Sequence, residues 1–201
     1  MSLAQQVASV QARIAAAARQ AGRDPEEITL VAATKTQTSD TIRAAIAAGI
    51  TVCGENRVQE MSAHLDDDAY AGARLHFIGH LQTNKVRQVV GRVDLIESVS
   101  SLRLLEAIEA QAAKLDLVQD ILLEVNIGGE ASKSGLLPAE TPQMARLAAG
   151  WPHIRLRGLM AIPPAASIAG GNRKFFAQMR QLFVDIRTLL TDNKSDLDCL
   201  S

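Results

Sequence analysis

A lysine ends the apolar segment LVAATKTQ, residues 30–37, and a primary amine at this position can do chemistry. If residues 28–34 form a strand that leads into a partly dry cleft, desolvation disfavours the ammonium form of Lys35. The neutral amine can then attack a carbonyl group and form a Schiff base. A lysine at a strand end can equally extend its ammonium into solvent, so position alone leaves both roles open.

Polar side chains also follow the next apolar segment, in CGENRVQE, residues 53–60. Glu55, Asn56 and Arg57 place a carboxylate, an amide and a guanidinium in consecutive positions, and such groups recognise polar ligands. The alternative is an ordinary helix start, with Asn56 as the capping residue and Glu60 on the helix surface.

Two histidines lie close together in HFIGHLQTNK, residues 76–85. His76 and His80 have a spacing that metal ligands can use, but no third ligand accompanies them, so no metal site is predicted. Asn84 and Lys85 open the following helical pattern, where anions are favoured.

Two later segments add candidate ligand-binding residues. VNIGGEASKSG, residues 125–135, is rich in glycine and contains Glu130 and Lys133, but it lacks the GxxxxGK[ST] spacing of a P-loop. A surface loop without a ligand fits this segment as well. In GLMAIPP, residues 158–164, two prolines end a strand, and Met160 before them has the character of a core residue.

These residues sit at the ends of alternating strand and helix patterns. The pattern predicts strands over 28–34, 51–54, 75–79, 93–99, 120–127, 154–162 and 196–200. It predicts helices over 3–20, 39–48, 56–65, 84–90, 102–114, 141–149 and 173–190. The strands are continuous apolar runs, which is typical of a parallel sheet covered by helices.

An α/β fold of the (β/α)8 TIM-type barrel class is favoured over an open doubly wound sheet, because no GxGxxG follows an early strand. Barrel chemistry lies at the carboxyl ends of the strands, where Lys35 is expected. A closed barrel needs eight strands and the pattern supplies seven before Ser201, so we expect the last helix and strand to be missing from this chain. We expect residues 1–201 to form a single domain.

Composition narrows the functional classes. Lysine and arginine total 21 against 22 acidic residues, so the net charge of -1 predicts no nucleic-acid and no membrane partner. The polar residues inside the first helix exclude a signal-peptide core, which predicts a cytoplasmic protein. Cys53 and Cys199 belong to no disulfide or zinc pattern and are expected to be buried.

The motifs ATK, GENRVQE, HFIGHLQTNK, VNIGGEASKSG, GLMAIPP and FAQMRQLF occur in this order, and together they resemble the pyridoxal phosphate homeostasis protein family. The resemblance extends from about Val31 to Ser201. It implies an alanine-racemase-like barrel without a second domain, and a pyridoxal 5'-phosphate cofactor held as an aldimine by Lys35.

The resemblance also implies roles for four other residues. Asn56 should lie near the cofactor ring, Met160 should line its pocket, and Lys133 should assist cofactor handling. Ser201 would be the first serine of a phosphate-binding loop, whose remaining residues are expected beyond this chain. Gln37 and Thr38 depart from the family pattern, which often has a basic or apolar residue followed by proline.

The function implied by the resemblance is binding, buffering or delivery of the cofactor, without an established turnover reaction. Delivery would make apo-enzymes partners, and a monomer is expected. An amino-acid racemase is an alternative, but it needs a second acid/base, and the sole tyrosine, Tyr70, is expected at the opposite barrel end. A Schiff-base aldolase is a further alternative, although its lysine would lie in a later strand.

Overall fold

A computed structural model describes residues 1–130, 132–165, 170–190 and 197–201. The chain divides into two compact units, Met1–His76 and Phe77–Ser201. The expectation of one domain over residues 1–201 stays a prediction. In the parts of the chain that the structure describes, no helix is long and apolar enough to cross a membrane.

The first unit contains three strands, three helices and a short 3-10 helix. In chain order these are α1 (Leu3–Gln20), the 3-10 helix Pro25–Glu27, β1 (Val31–Ala33), α2 (Ser39–Ala47), β2 (Val52–Glu55), α3 (Val58–Asp66) and β3 (Arg74–Phe77), which ends where the second unit begins. The strands follow one another in the order β1-β2-β3. β1 and β2 are parallel, with Ala33 opposite Gly54.

Local signals explain how α1 begins and ends. The Ser2 hydroxyl accepts the Gln5 amide, and the Gln5 side chain accepts the Ser2 amide, which completes a capping box. After the helix, Gly22 adopts φ 69, and the Arg23 amide donates to the Ala18 carbonyl at 2.9 Å. This left-handed ending is the one that glycine favours, so α1 stops where the sequence predicts.

The second unit continues the alternation of strands and helices. Its elements are the 3-10 helix Thr83–Gln88, β4 (Leu95–Val99), α4 (Leu102–Lys114), β5 (Gln119–Glu124), α5 (Thr141–Ala149), β6 (Ile154–Met160), α6 (Arg173–Leu189) and β7 (Cys199–Leu200). The strand order is β4-β5-β6-β7, and each of these pairs is parallel. The core side chains of β4 and β5 are largely Leu, Ile and Val, as expected for a covered parallel sheet.

Two arginines on β6 join three neighbouring strands. Arg155 donates two hydrogen bonds to Asp120 of β5, at 2.6 and 2.8 Å. Arg157 donates to the same carboxylate at 2.7 Å and to Asp198, directly before β7, at 2.8 Å. Because guanidinium and carboxylate groups pair in a planar, two-bond geometry, this cluster helps fix the register of β5, β6 and β7.

Two sequence-based predictions need correction. Residues 84–90 were expected to form an ordinary helix, but the structure has a 3-10 helix at Thr83–Gln88. Cys53 is buried as expected, whereas Cys199 is only partly buried, because the two-residue strand β7 leaves its side chain beside solvent. The last predicted strand includes residue 196, which lies outside the described residues.

Candidate functional site

Lys35 lies two residues beyond the end of β1, in a tight turn. The Gln37 amide donates to the Thr34 carbonyl at 3.1 Å, which closes a four-residue turn with Lys35 at its second position. Thr36, at the third position, has φ 64, a value that β-branched residues rarely adopt. The turn presents the side chain of Lys35 to solvent.

The exposure of Lys35 decides between the two environments that its position left open. The position of Lys35 left open an amine in a partly dry cleft and an amine extended into solvent, and in the structure Ala33 and Lys35 are both exposed. The physical reason is that β1 ends at Ala33 and the turn then carries the lysine away from buried Thr34. Desolvation therefore does not account for any reactivity of this amine in the structure.

Glu60 holds the strained turn from the first helical turns of α3. Its Oε2 accepts the Thr36 amide at 3.0 Å, and its Oε1 accepts Arg57 Nη1 at 3.0 Å. The backbone hydrogen bond from Thr36, followed by the contact with Arg57, lowers the pKa of Glu60 below its ordinary value. The carboxylate therefore stays ionised and keeps accepting the hydrogen bond from the Thr36 amide.

Glu55, the last residue of β2, is fully buried directly beside this turn. Its Oε1 accepts the Thr34 hydroxyl at 2.6 Å and the Tyr70 hydroxyl at 2.8 Å, and it lies 3.1 Å from His64 Nδ1. The other ring nitrogen of His64 lies 3.1 Å from the Gln37 carbonyl. The cluster was not predicted, because no spacing motif links residues from the turn after β1, from β2, from α3 and from the loop that follows α3.

The position of Tyr70 corrects another expectation. Its backbone lies in the connection between α3 and β3, as predicted, but its hydroxyl reaches the carboxyl end of β2 through Glu55. Burial, and then the hydrogen bond with Glu55, raises the pKa of the Tyr70 hydroxyl above its ordinary value. The phenol is therefore a poor source of a proton for a substrate.

Asn56 comes directly after β2 and does not cap the following helix. The capping position of α3 is Arg57, which makes no capping hydrogen bond through its side chain. The side chain of Asn56 is instead partly buried, and its Oδ1 has no hydrogen-bond partner among the described residues. A buried amide oxygen without a partner is available to a donor on a bound ligand.

Met160 closes β6 in the second unit and is buried in its core. It packs with Leu95 and Leu122, and Cys199 contacts the same cluster. Glu124 lies opposite Met160 in the register of β5 and β6. Burial raises the pKa of Glu124, and its Oε2 has no partner among the described residues, so a polar group borders this apolar cluster.

Lys133 lies in a loop that Asn126 organises. The Asn126 amide donates to the Glu130 carbonyl at 2.9 Å, and its oxygen accepts the Glu130 amide at 3.2 Å. Lys133 Nζ forms an ion pair with Glu130 at 2.6 Å and donates to the Pro163 carbonyl at 3.4 Å. Lys133 is thus tied to its own loop and to the segment after β6.

The remaining candidates of the second unit lie at its surface or edge. Ser201 is exposed and continues the pairing of β7 with β6, since its amide donates to the Leu159 carbonyl at 2.9 Å. His80 is exposed and lies 3.3 Å from Ser134 through Nδ1. A search of the described residues finds no group of three or more side chains that could hold a metal ion.

Comparison with known proteins places the chain among alanine-racemase-like domains. The family model for the alanine racemase N-terminal domain matches residues 6–201, which defines the class of domain. A protein of Pseudomonas aeruginosa, named pyridoxal phosphate homeostasis protein, is 37% identical over 185 residues. The alignment covers 92% of this chain and 80% of that protein. The chain therefore belongs to the pyridoxal phosphate homeostasis protein family, as the motifs indicated.

Solved structures support the same fold. The structure of PipY of Synechococcus elongatus PCC7942 with pyridoxal phosphate bound has 27% identity and a TM-score of 0.82, over 99% of this chain and 87% of that chain. Alanine racemase of Clostridium difficile has 12% identity and a TM-score of 0.71, over 88% of this chain and 46% of that chain, and shows the fold alone. The predicted fold class is confirmed.

Proposed function

We propose that this chain binds pyridoxal 5'-phosphate through Lys35 and buffers or delivers it, and that it does not turn over a substrate. Pyridoxal phosphate supplies an aldehyde, with which a primary amine condenses reversibly to a C=N linkage with release of one water. Reversibility suits a protein that stores a reactive aldehyde and passes it to apo-enzymes. We further propose that this occurs in the cytoplasm, where free thiols such as Cys53 persist.

The observation that carries this proposal is that Lys35 and Asn56 follow the carboxyl ends of two neighbouring strands, β1 and β2. Ala33 lies opposite Gly54 in the parallel pair β1-β2, and the two candidate residues each follow this pair by two positions. The carboxyl ends of parallel strands meet at one edge of the sheet, which is where barrels of this class bind ligands. The exposed amine and the unpaired amide oxygen are groups that could hold an aldehyde and a ring donor.

Relatives support the choice of ligand. The Pseudomonas aeruginosa protein is named for pyridoxal phosphate homeostasis, and the PipY structure is described as having that cofactor bound. Among the residues that the resemblance implies, Asn56 fits a cofactor neighbour by its unpaired oxygen. The proposed roles of Met160, Lys133 and Ser201 rest on the resemblance alone.

The state of Tyr70 favours a carrier over a racemase. Racemisation requires a second acid/base that exchanges protons with the substrate carbon. Tyr70 is the sole tyrosine of the chain, and its hydroxyl is buried and donates to Glu55. A phenol that is committed to a buried carboxylate cannot readily serve in that exchange.

The proposal is tested by reductive trapping on the full chain. Borohydride treatment in the presence of pyridoxal phosphate should leave a phosphopyridoxyl group on Lys35, located by peptide mass spectrometry. Lys35→Ala should lose this adduct, while Lys114→Ala, which replaces an exposed lysine in the last turn of α4, is the matched control and should keep it. Absence of a Lys35 adduct in the unmodified protein at saturating cofactor would refute the proposal, and α-proton exchange of an amino acid would favour the racemase.

A further inference from the structure

We propose that the buried cluster of Thr34, Glu55, His64 and Tyr70 is a positioning device that sets the direction of the Lys35 amine. This inference rests on the proposed function, since it concerns how the same lysine meets an aldehyde. We call these four residues the clamp. None of them is required to touch the cofactor, so they act through Lys35.

The clamp first fixes the residue before the lysine. The Thr34 hydroxyl lies 2.6 Å from Glu55 Oε1 and 3.2 Å from the Gly54 carbonyl, and the Thr34 amide also donates to that carbonyl at 2.9 Å. Thr34 and Glu55 are both buried. The peptide that leads into Lys35 is therefore held by backbone and side chain together.

The clamp also holds the far side of the turn. His64 Nε2 lies 3.1 Å from the Gln37 carbonyl, which can only accept, so this nitrogen must carry hydrogen. His64 Nδ1 lies 3.1 Å from both Glu55 Oε1 and the Tyr70 oxygen. The ring therefore bridges β2 to the residue two positions after the lysine.

The backbone between these two anchors has a conformation that needs support. Thr36 adopts φ 64, and a β-branched residue stays in this region only where its surroundings hold it. The Glu60 carboxylate accepts the Thr36 amide and supplies part of that support. Residues on both sides of Lys35 are thus fixed, while its own side chain is left exposed. The clamp therefore holds the backbone of the turn, and the amine stays accessible.

A buried carboxylate is a costly way to hold a turn if only stability is needed. Oε2 of Glu55 has no hydrogen-bond partner within the described parts of the chain, and apolar side chains would fill the space without this penalty. Two hydrogen bonds of the clamp, Thr34 with Glu55 and His64 with the Gln37 carbonyl, lead to residues on either side of Lys35. The second unit contains a similar pair, His153 and Glu109, with Nδ1 2.9 Å from Oε1. That pair joins α4 to the start of β6 and provides a matched control.

The test compares the rate at which borohydride traps pyridoxal phosphate on Lys35 in the full chain. Thr34→Val keeps the side-chain shape and removes the hydroxyl, and His64→Leu removes both ring nitrogens. Each should slow trapping by at least about tenfold, because a small displacement of a reacting group has a large effect on rate. Thr34→Ser and His64→Gln, which keep a donor, should recover most of the rate, and His153→Leu should trap at the rate of the unmodified protein.

Three results would decide against the clamp. If Thr34→Val is folded by circular dichroism and still traps at the rate of the unmodified protein, the clamp is overturned. If His64→Leu fails to fold, the result for Thr34→Val decides. An equal loss of rate in His153→Leu overturns it as well, because general destabilisation then explains the effect. Absence of the Lys35 adduct in the unmodified protein overturns the proposed function itself. Failure of the proposed function is therefore distinguishable from failure of the clamp alone.

Discussion

At the scale of single residues, the charge of Glu55 affects a second ionisable side chain on β2, the thiol of Cys53. Cys53 and Glu55 are two positions apart on one strand and are both fully buried. Burial, and then the nearby charge of Glu55, raises the pKa of the Cys53 thiol to about 11. Since the thiolate is the reactive form, Cys53 should be chemically inert in the folded protein.

We expect alkylation at about pH 8 to distinguish the two thiols, because a thiol with a pKa near 11 is only about one part in a thousand thiolate there. Cys199 is partly exposed and should react first. Peptide mass spectrometry after iodoacetamide treatment measures both sites. Cys199→Ser should then show almost no labelling until the chain is unfolded in urea. Rapid native labelling of Cys53 would contradict the buried environment of β2.

Glu124 predicts a pH dependence of stability. Burial raises its pKa in the folded state above the ordinary 4.5, so the folded state keeps a proton that the unfolded state has lost. Stability therefore declines as the pH rises above the ordinary value towards the raised one. Glu124→Gln cannot lose this proton. Its stability relative to the unmodified protein should increase from about pH 4 to about pH 8.

Urea unfolding across that pH range measures the Glu124 effect. Glu106→Gln is the control, because Glu106 is an exposed residue of α4 and its replacement should change stability little at any pH. If the free energies of unfolding of Glu124→Gln and the unmodified protein change in parallel with pH, burial does not raise the pKa of this carboxyl in the folded state.

At the scale of elements, the junction of β6 with β7 depends on one glycine. Gly158 adopts φ 155, and a Cβ there would overlap the Cys199 carbonyl and lie 3.2 Å from Phe183 of α6. The same residue is paired with Cys199 in the β6-β7 register. Close approach of two backbones and a helix therefore explains why the GLMAIPP segment begins with glycine.

Gly158→Ala should destabilise the protein by about 2 kcal/mol or more, because an added methyl group would force β6 and β7 apart. Urea unfolding followed by circular dichroism measures the loss. Gly150→Ala is the matched control, since its φ is negative and a Cβ there meets nothing closer than 3.5 Å. Equal stability of the two variants would contradict the close packing of β6 and β7.

Helix α6 shows how far a helical pattern specifies burial. The sequence places Phe176, Met179, Phe183, Ile186 and Leu190 in one register. The structure buries Met179, Ile186 and Leu190, while Phe176 is 57% exposed. The pattern identifies the helix and its inward face, but the depth of each residue depends on what the neighbouring elements cover.

At the scale of the whole molecule, cofactor binding should be coupled to stability. A ligand that binds only the folded chain stabilises it by about 2.7 kcal/mol at 100 times its dissociation constant. Pyridoxal phosphate should therefore raise the melting temperature of the unmodified protein, and the shift should be much smaller for Lys35→Ala. Differential scanning calorimetry measures this, with Lys114→Ala as the control. Equal shifts in Lys35→Ala and the unmodified protein would place the cofactor elsewhere.

Local pattern predicted most of the elements. The bounds of α1, α4 and α5 agree with the structure, and the other predicted strands and helices differ mainly at their ends. The bounds of α1 follow from bonds between near neighbours, such as the capping box at Ser2 and the turn at Gly22. Such bonds join residues close in the chain, and their signals are therefore visible in sequence.

The surroundings of the candidate site were not predictable in this way. The sequence by itself determined that Lys35 follows the first strand and Asn56 the second, and the ordered motifs identified the family. Only the tertiary structure decided that Lys35 is exposed, and that His64 connects Glu55 to the Gln37 carbonyl, 27 positions away. Partners so distant in sequence meet only when α3 packs beside β2, and no local period records that packing.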